Sequence, residues 1–489
     1  MFKNITEIQE KGKLFINNQW FDAFTGEVFD VINPATEEVI AQVAQAEKHD
    51  VNMAVRSARK AFDEGKWKDF SGRERADVLY NIAKLLEVHK EEFAKLETID
   101  NGKPISETLN VDLLLVIQCF KYYASLADKI GGETIPVDGN FLNYTLREPV
   151  GVVVQIIPWN FPLLMLAWKL GPALATGCTV VLKPAEQTPL TALKFAELLL
   201  ETDLPAGVVN ILTGDGVTGK LLTEHLDIDK IAFTGSTEVG RSVGQTAAKN
   251  LKRCSLELGG KAPNIVFANA DIDEAVKGAV AGIFFNQGEV CCAGSRLFVE
   301  ESIKDEFITK LKAHAESLVQ GDPLDPKTQI GAQVSSVQFD KIIDYIEKGI
   351  QEGAKLITGN TFSGKKGDGF FIAPTILEAT DDNICAREEI FGPVVTVLTF
   401  KDTEHLDDLI NRANDTDYGL SAGIWTRDIG MAHHVAKQIK AGVVWINCYN
   451  QFDAASPFGG YKQSGHGREL GKYALDLYTE TKSVWVPLS

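Results

Sequence analysis

Val152-Val-Val-Gln-Ile-Ile-Pro-Trp-Asn-Phe-Pro162 opens as a nearly continuous apolar strand and then breaks into small, aromatic and polar residues. Thr179-Val-Val-Leu182, Val208-Val-Asn-Ile-Leu212 and Ile231-Ala-Phe233 repeat the pattern, and Ser255-Leu-Glu-Leu258 is a shorter fifth case. Helical stretches at about 163–176, 189–202, 216–224 and 238–249 separate them. Strands apolar on both faces and joined by helices predict a parallel sheet covered on both sides. Such a sheet receives ligands at the carboxyl ends of its strands. Here those ends carry Pro158-Trp-Asn-Phe-Pro162, Lys183-Pro-Ala-Glu186, Thr213-Gly-Asp-Gly216 and Thr234-Gly-Ser-Thr-Glu-Val-Gly240.

Downstream, a second alternating section runs from about 263 to 446. Its strands are Asn264-Ile-Val-Phe267, Arg296-Leu-Phe-Val299, the region of 372–378, Val394-Val-Thr-Val-Leu398 and Val443-Val-Trp-Ile446, with helices near 273–285, 302–318, 336–351, 403–413 and 429–439. Upstream lie short strands at Leu14-Phe-Ile16 and Phe29-Asp-Val-Ile32, then helices predicted over about 50–63, 73–98 and 106–128. The C-terminal Ser483-Val-Trp-Val-Pro487 is an apolar strand for which the 131–147 segment is a candidate partner, in an extension that packs on another subunit.

Composition narrows the function classes. The apolar share of 45% and charged share of 24% fit an ordinary globular chain. Net charge is −18, from 49 basic and 67 acidic residues spread along 489 positions. That balance excludes a nucleic-acid wrapper and an anionic-membrane binder, which need surplus Lys and Arg. Seven cysteines without a C-x-x-C pattern, and no secretory leader pattern in Met1-Phe-Lys-Asn-Ile-Thr-Glu7, predict a reducing compartment, the cytoplasm. The glycosylation-like triplets at Asn4, Asn143 and Asn414 are then inert. Eight histidines include no H-x-x-x-H pair, so no metal is expected. Neither G-x-S-x-G nor G-x-x-x-x-G-K-[ST] is present.

Four local patterns carry chemistry. Gly235-Ser-Thr-Glu-Val-Gly240 follows a strand and opens a helix, which suits phosphate on helix N–H groups or simply a tight turn. Lys183 and Glu186 flank Pro184 at another strand end; the lysine suits hydroxyls or phosphate, and the carboxylate accepts ribose hydroxyls and repels a 2′-phosphate, favouring NAD over NADP. In Asn286-Gln-Gly-Glu-Val-Cys-Cys-Ala293 a cysteine after a glycine loop and at a helix start gains thiolate stability from the positive helix end. Adjacent cysteines point different ways, so one of Cys291 and Cys292 is expected to face a pocket. Glu257, between leucines and before Gly259-Gly260, is a carboxyl with a raised pKa that can act on water. Each pattern has a bland reading too: a turn, a solvated Lys–Glu pair, two buried small residues, a surface glutamate.

Taken together, Pro158-Trp-Asn-Phe-Pro162, Lys183-Pro-Ala-Glu186, Phe233-Thr-Gly-Ser-Thr-Glu-Val-Gly240, Leu256-Glu-Leu-Gly-Gly-Lys261, Phe285-Asn-Gln-Gly-Glu-Val-Cys291, Glu389-Ile-Phe-Gly-Pro393 and Pro457-Phe-Gly-Gly-Tyr-Lys462 resemble the NAD(P)-dependent aldehyde dehydrogenase superfamily over essentially the whole chain. Cys291-Cys-Ala-Gly-Ser-Arg296 and Gly465-His-Gly-Arg-Glu-Leu-Gly471 are most similar to its tetrameric, broad-specificity acetaldehyde and retinal type. The resemblance implies an α/β fold with a Rossmann-type cofactor domain over 1–130 and 148–259, a catalytic domain over 260–460, a connecting segment 461–474, and a small β oligomerisation arm of 131–147 and 475–489. It implies Cys291 as nucleophile, Asn160 as oxyanion donor beside the Cys291 backbone N–H, and Glu257 as general base.

It further implies NAD contacts. Lys183 and Glu186 fall at the adenosine ribose, Ser236 near the pyrophosphate, and Glu389 and Phe391 at the nicotinamide end; Ile156, Ile157, Pro158, Trp159, Gly216, Gly235, Val239, Gly240 and Leu258 complete the cofactor set. Leu115, Phe161, Trp168, Val290, Cys292, Asn450, Phe452 and Phe458 match its substrate tunnel. The expected partners are a small aldehyde and further copies of the chain, as a dimer of dimers. Apolar walls suit neutral aliphatic or aromatic aldehydes, with betaine aldehyde as the alternative. Two other readings are acyl transfer to coenzyme A, which the water-activating Glu257 opposes, and a non-catalytic structural protein. One departure stands out: the superfamily's usual Gln is Glu289 here, and its side chain is expected to point away from Cys291, since a charge pointing inward raises the thiol pKa.

Overall fold

The computed structural model describes residues 12–359, 368–401 and 403–488, so Asn4 and its triplet lie outside the described residues. The chain opens with two hairpins, β1 (Leu14–Ile16) with β2 (Gln19–Phe21) and β3 (Val28–Ile32) with β4 (Val39–Ala44). Asn17 and Asn18, both at positive φ, form the two-residue turn of the first. After the N-terminal helices come β5 (Thr134–Ile135) and β6 (Phe141–Pro149). Next, β7 (Val152–Ile156), β8 (Thr179–Lys183), β9 (Val209–Ile211), β10 (Lys230–Thr234) and β11 (Arg253–Glu257) alternate with helices. A second alternating run contains β12 (Pro263–Val266), β13 (Arg296–Glu300), β14 (Lys355–Thr358), β15 (Thr375–Glu378), β16 (Val394–Phe400), β17 (Ser421–Trp425) and β18 (Val443–Ile446). β19 (Gly465–His466) and β20 (Thr479–Pro487) close the chain.

The first sheet has the order β19-β11-β10-β7-β8-β9-β1-β2, and β7 to β11 are mutually parallel. Its first central strand is β7; the chain then moves outward through β8 and β9 and returns to the other side of β7 as β10. The direction of winding reverses between β7 and β10, which opens a crevice beyond their carboxyl ends. Val152, Val153 and Val154 are fully buried, as a strand covered on both faces requires. The second sheet, β14-β15-β16-β13-β12-β17-β18, is parallel apart from β14. Segment 258–262 joins the two sheets, running from the carboxyl end of β11 to the start of β12.

β20 pairs with β6 over nine positions, Thr479 opposite Pro149 through Pro487 opposite Phe141, and β5 lies on the far side of β6. Phe141, Leu142, Leu146 and Trp485 on this ribbon are exposed. No helix among the described residues is long and apolar enough to cross a membrane.

Three expectations change. The helix predicted over 73–98 is two, Gly72–Val88 and Lys90–Asn101, because the chain leaves helical geometry at His89 (φ −99°, ψ 16°). The first packs on helix Leu113–Ala127 and the second on helix Leu190–Leu199, and the break lets each follow its own neighbour. The helix predicted over 106–128 is interrupted by a π-helical turn, Thr108–Asp112, of the kind that collects near functional sites. β17, at the heart of the second sheet, was not predicted, since Ser421-Ala-Gly-Ile-Trp holds too little β-branched character.

The helix Ile272–Phe284 crosses β17 closely: a Cβ on Gly278 would lie 2.0 Å from the Trp425 ring. Trp425 is held there by its Nε1 donating to Asn264 Oδ1 at 2.9 Å. Gly278→Ala gains about 0.5–1 kcal/mol of helix propensity but loses about 1–3 kcal/mol to overpacking. The thermal midpoint is expected to fall; a midpoint at or above that of the parent would contradict this packing.

Candidate active site

A cavity of about 440 Å³ occupies the crevice between the sheets. Pro158, Trp159 and Asn160 enter it from the end of β7, and Thr234, Gly235 and Ser236 from the end of β10. Glu257, Leu258 and Gly259 line it as the chain leaves β11; Val290, Cys291 and Cys292 come from the segment before β13, and Glu389 and Phe391 from that before β16. Leu115, Phe161, Trp168, Asn450, Phe452 and Phe458 also line it, so the whole expected tunnel set meets in one cavity. Ile156, Ile157, Lys183, Glu186, Gly216, Val239 and Gly240 lie outside it. Sequence reasoning missed Glu469, Gln338, Lys341 and Tyr449, which also line the cavity. Glu469 lay within the quoted Gly465–Gly471 stretch, but nothing local showed which way it faces; the other three carried no signal.

The loop carrying Cys291 and Cys292 corrects two expectations. Cys291 is not at a helix start; Cys291 and Cys292 occupy a turn, and residues 293–295 lead directly into β13. The chain leaves helix Ile272–Phe284 through Asn286 (φ 49°, ψ 42°), Gln287 (φ 44°, ψ 30°) and Gly288 (φ 78°), three left-handed residues that reverse its direction. A non-glycine residue held there costs about 1–3 kcal/mol, a strain found at functional sites. Both cysteines, not one, line the cavity, Cys291 half-buried and Cys292 buried. A hydrogen bond with the Cys292 thiol, then burial, holds the Cys291 thiol well above the ordinary thiol range. The resting group is therefore a neutral thiol.

Around this loop the hydrogen bonds converge. Asn160 Nδ2 donates to Glu289 O at 2.9 Å, which leaves its second amide hydrogen for a ligand. The Cys292 carbonyl accepts from Ser421 Oγ at 3.1 Å and Tyr449 Oη at 2.9 Å. Glu289 points away from Cys291: its carboxylate oxygens accept from Val334 N and Gln287 Nε2, both at 3.0 Å. Burial pushes that carboxyl up to about 8, so at neutral pH it is mostly uncharged and does not repel the thiolate.

Glu257 is buried with neither carboxylate oxygen hydrogen-bonded. Burial first, and Glu469 second, raise its pKa well above the carboxylate range. Glu469 itself is ion-paired with buried Lys169, whose Nζ also donates to Thr234 Oγ1. An unpaired carboxylate in such surroundings is costly, and taking up a proton relieves that cost. Glu257 thus combines a free lone pair with high basicity.

The groove over the first sheet fits a dinucleotide. Lys183 is buried, donates to Pro184 O at 2.9 Å and lies 3.5 Å from the half-exposed Glu186. Helix Gly216–Glu224 sits against Lys183 and Ile156 at Gly219. Ser236 caps helix Thr237–Lys249 by accepting from Val239 N at 3.3 Å, and a Cβ on Gly240 would lie 2.3 Å from Leu258. Thr237 Oγ1 is buried without a partner, and Val217 and Val239 expose apolar surface on two helices that pack together. A helix N-terminus, a Lys–Glu pair of the kind that suits ribose hydroxyls and open apolar surface together suit phosphates, sugar and base. At the other end Gln338 Nε2 donates to Phe391 O at 2.6 Å, fixing Phe391 (φ 63°) edge-on to Trp159. Glu389, pushed up to about 7 by burial, accepts from Gly260 N at 2.8 Å. No group of three or more His, Cys, Asp or Glu among the described residues is arranged to hold a metal.

Comparison with known proteins agrees with this geometry. The model of the aldehyde dehydrogenase family matches residues 20–484. Human mitochondrial aldehyde dehydrogenase is 52% identical over 478 residues, covering 97% of this chain and 92% of the relative. Human retinal dehydrogenase 2 is 51% identical over 480 residues, covering 97% of this chain and 92% of the relative. The solved NAD+ complex of an aldehyde dehydrogenase from Bacillus cereus superposes with a TM-score of 0.97 at 48% identity, covering 100% of this chain and 99% of that one.

A raised thiol pKa has a kinetic signature. In the protein without cofactor, alkylation of Cys291 by iodoacetamide is expected to accelerate about tenfold per pH unit from pH 6 to 8, as the thiolate fraction does. A rate that is already flat at pH 7 would mean the thiolate is stabilised.

Proposed function

The chain belongs to the aldehyde dehydrogenase family, and we propose the residue roles and substrate class by which it carries out that family's reaction. It oxidises an aldehyde to the carboxylic acid, with NAD as cofactor and a cysteine as nucleophile. We assign the nucleophile to Cys291, whose thiol gives up its proton to solvent as the sulfur adds to the aldehyde carbonyl. The new oxyanion is received by the free amide hydrogen of Asn160 and by the Cys291 backbone N–H; one such donor contributes about 2.7–4 kcal/mol. NAD, held by Lys183, Glu186, the turn at Gly235 and Ser236, and Glu389 with Phe391, supplies the hydride acceptor. The acyl group is then a thioester on Cys291. Glu257 takes a proton from water, whose oxygen attacks the thioester; the acid leaves and the thiol is restored. The observation that carries this reading is the meeting of Cys291, Asn160 and the unpaired Glu257 carboxyl in one cavity.

We propose neutral aliphatic or aromatic aldehydes as substrates. Leu115, Phe161, Phe452 and Phe458 give the tunnel apolar walls, and Asn450 is among its few polar side chains. Betaine aldehyde is the second reading, favoured by one feature: Trp168, Phe452 and Phe458 form a three-ring cluster with centroids 5.3–6.3 Å apart, a surface that can bind a quaternary ammonium.

We also propose that the apolar ribbon of β6 and β20 joins copies of the chain into a dimer of dimers, supported by the exposure of Phe141, Leu146 and Trp485. The domain bounds we propose are 1–130 with 148–259 for cofactor binding, 260–460 for catalysis, 461–474 as connector, and 131–147 with 475–489 as the arm. Seven free thiols support a cytoplasmic location.

The roles separate experimentally. Cys291→Ala is expected to abolish NADH formation while Cys292→Ala largely spares it; equal loss in both would remove the assignment. Glu257→Gln should keep a first-turnover burst of NADH yet lower the steady-state rate about 10²–10⁴-fold. In the parent the rate should climb with pH, because the raised Glu257 pKa leaves it protonated, and idle as a base, until pH rises through that pKa. Loss of the burst itself would place Glu257 elsewhere in the cycle. Glu186→Gln should raise the NADP to NAD ratio of kcat/KM, and no change would remove Glu186 from the ribose. Rates over acetaldehyde, hexanal, benzaldehyde and betaine aldehyde distinguish the two substrate readings.

A further inference from the structure

One short segment, residues 103–112, grips both halves of the catalytic machinery. Lys103 is fully buried, and its Nζ donates to Asp112 Oδ2 and to the Asn160 carbonyl, both at 2.8 Å. Four residues along, the Glu107 carboxylate accepts from Asn286 N at 2.9 Å. The π-helical turn that follows, Thr108–Asp112, carries the chain on so that Asp112 faces Lys103 while Val111 and Leu115 line the cavity.

Asn286 begins the left-handed turn before the nucleophile. Its N–H lies just past the end of helix Ile272–Phe284, and the Glu107 carboxylate is its acceptor. Its side-chain Nδ2 then bridges two carbonyls, Asn160 O at 3.0 Å and Glu289 O at 3.1 Å, while its Oδ1 has no partner. The same Glu289 carbonyl receives the Asn160 amide. The oxyanion side chain and the loop carrying Cys291 are therefore registered on each other through Asn286.

We propose that Glu107 is a positioning residue for the reaction: by accepting the Asn286 N–H it holds Asn286 and Gln287 left-handed, and thereby fixes the Glu289 carbonyl against which Asn160 is set. Without that acceptor the strained turn relaxes toward right-handed geometry, the Glu289 carbonyl rotates, and Asn160 and Cys291 lose their mutual register. Glu107 acts as an oxygen at a fixed reach, and its charge is not what the turn requires. This rests on the assignment of Cys291 and Asn160 made above.

Three variants test it, with kcat measured at saturating NAD and aldehyde. Glu107→Ala is expected to lower kcat about 10- to 100-fold, the scale of a displacement near 1 Å, with the KM for NAD little changed because the cofactor groove is not touched. Glu107→Gln keeps an oxygen at the same reach and should stay within about threefold of the parent, whereas Glu107→Asp keeps the charge but falls short and should behave like Glu107→Ala. If Glu107→Ala does not fold, the Gln and Asp variants decide the matter between them. The proposal is overturned by a kcat in Glu107→Asp within twofold of the parent, or by equal losses in Gln and Asp. Cys291→Ala, assayed alongside, separates the two claims: its survival removes the nucleophile assignment, while its loss beside a fully active Glu107→Asp removes only the role of Glu107.

Discussion

Gly259 and Gly260 sit where the chain crosses from the first sheet to the second, and there is no room for a side chain at either. A Cβ on Gly259 would lie 2.0 Å from Glu389 Oε2, and one on Gly260 would lie 2.4 Å from the Cys291 carbonyl oxygen. Gly260 N also donates to Glu389. This close approach lets three segments remote in sequence, ending β11, preceding β13 and preceding β16, meet around one cavity. Any side chain here would wedge Glu389 and the Cys291 loop away from the crossing, and Glu257, two residues before Gly259, would lose its place opposite them.

The same junction concentrates groups that a protein interior normally rejects. Glu257 is buried without a hydrogen bond, Glu289 is shifted upward by burial, and two consecutive non-glycine residues stand in the left-handed region. Each is unfavourable by itself, and each persists because the surrounding sheets over-determine it. Lys103 with Asp112 and Lys169 with Glu469 bring buried cations to two sides of the cavity. With the Cys291 thiol and the Glu257 carboxyl both shifted upward, the enzyme need not maintain two buried anions at rest.

The alternation of 149–257 was legible because strands covered on both faces must be apolar throughout, which Val152–Val154 and Val180–Leu182 are. β17 was not, since its fitness for the centre of a sheet rests on what it lacks: a Cβ on Gly423 would lie 2.6 Å from Asn264 Oδ1 and 2.7 Å from the Tyr449 ring. The break at His89 was equally invisible, because the apolar spacing continues through it and only the two packing partners differ. The helix start expected at Cys291 failed for a related reason. Glycine and small residues mark a turn, but nothing local distinguishes a helix entry from a left-handed reversal anchored by Glu107, 179 residues away.

By itself the sequence determined the two α/β layers, the strand ends that carry polar residues and, through its motifs, the family and many of the residues that line the cavity, because each depends on local periodicity or on residue chemistry read in order. Only the tertiary structure decided the protonation of Cys291, the partners that turn Glu289 outward, the meeting of both cysteines at one wall, and the part played by Glu469, Tyr449 and Glu107. Those depend on burial and on contacts between distant segments. A pKa or a strained φ is a property of the enclosing structure, and no stretch of chain contains its own surroundings.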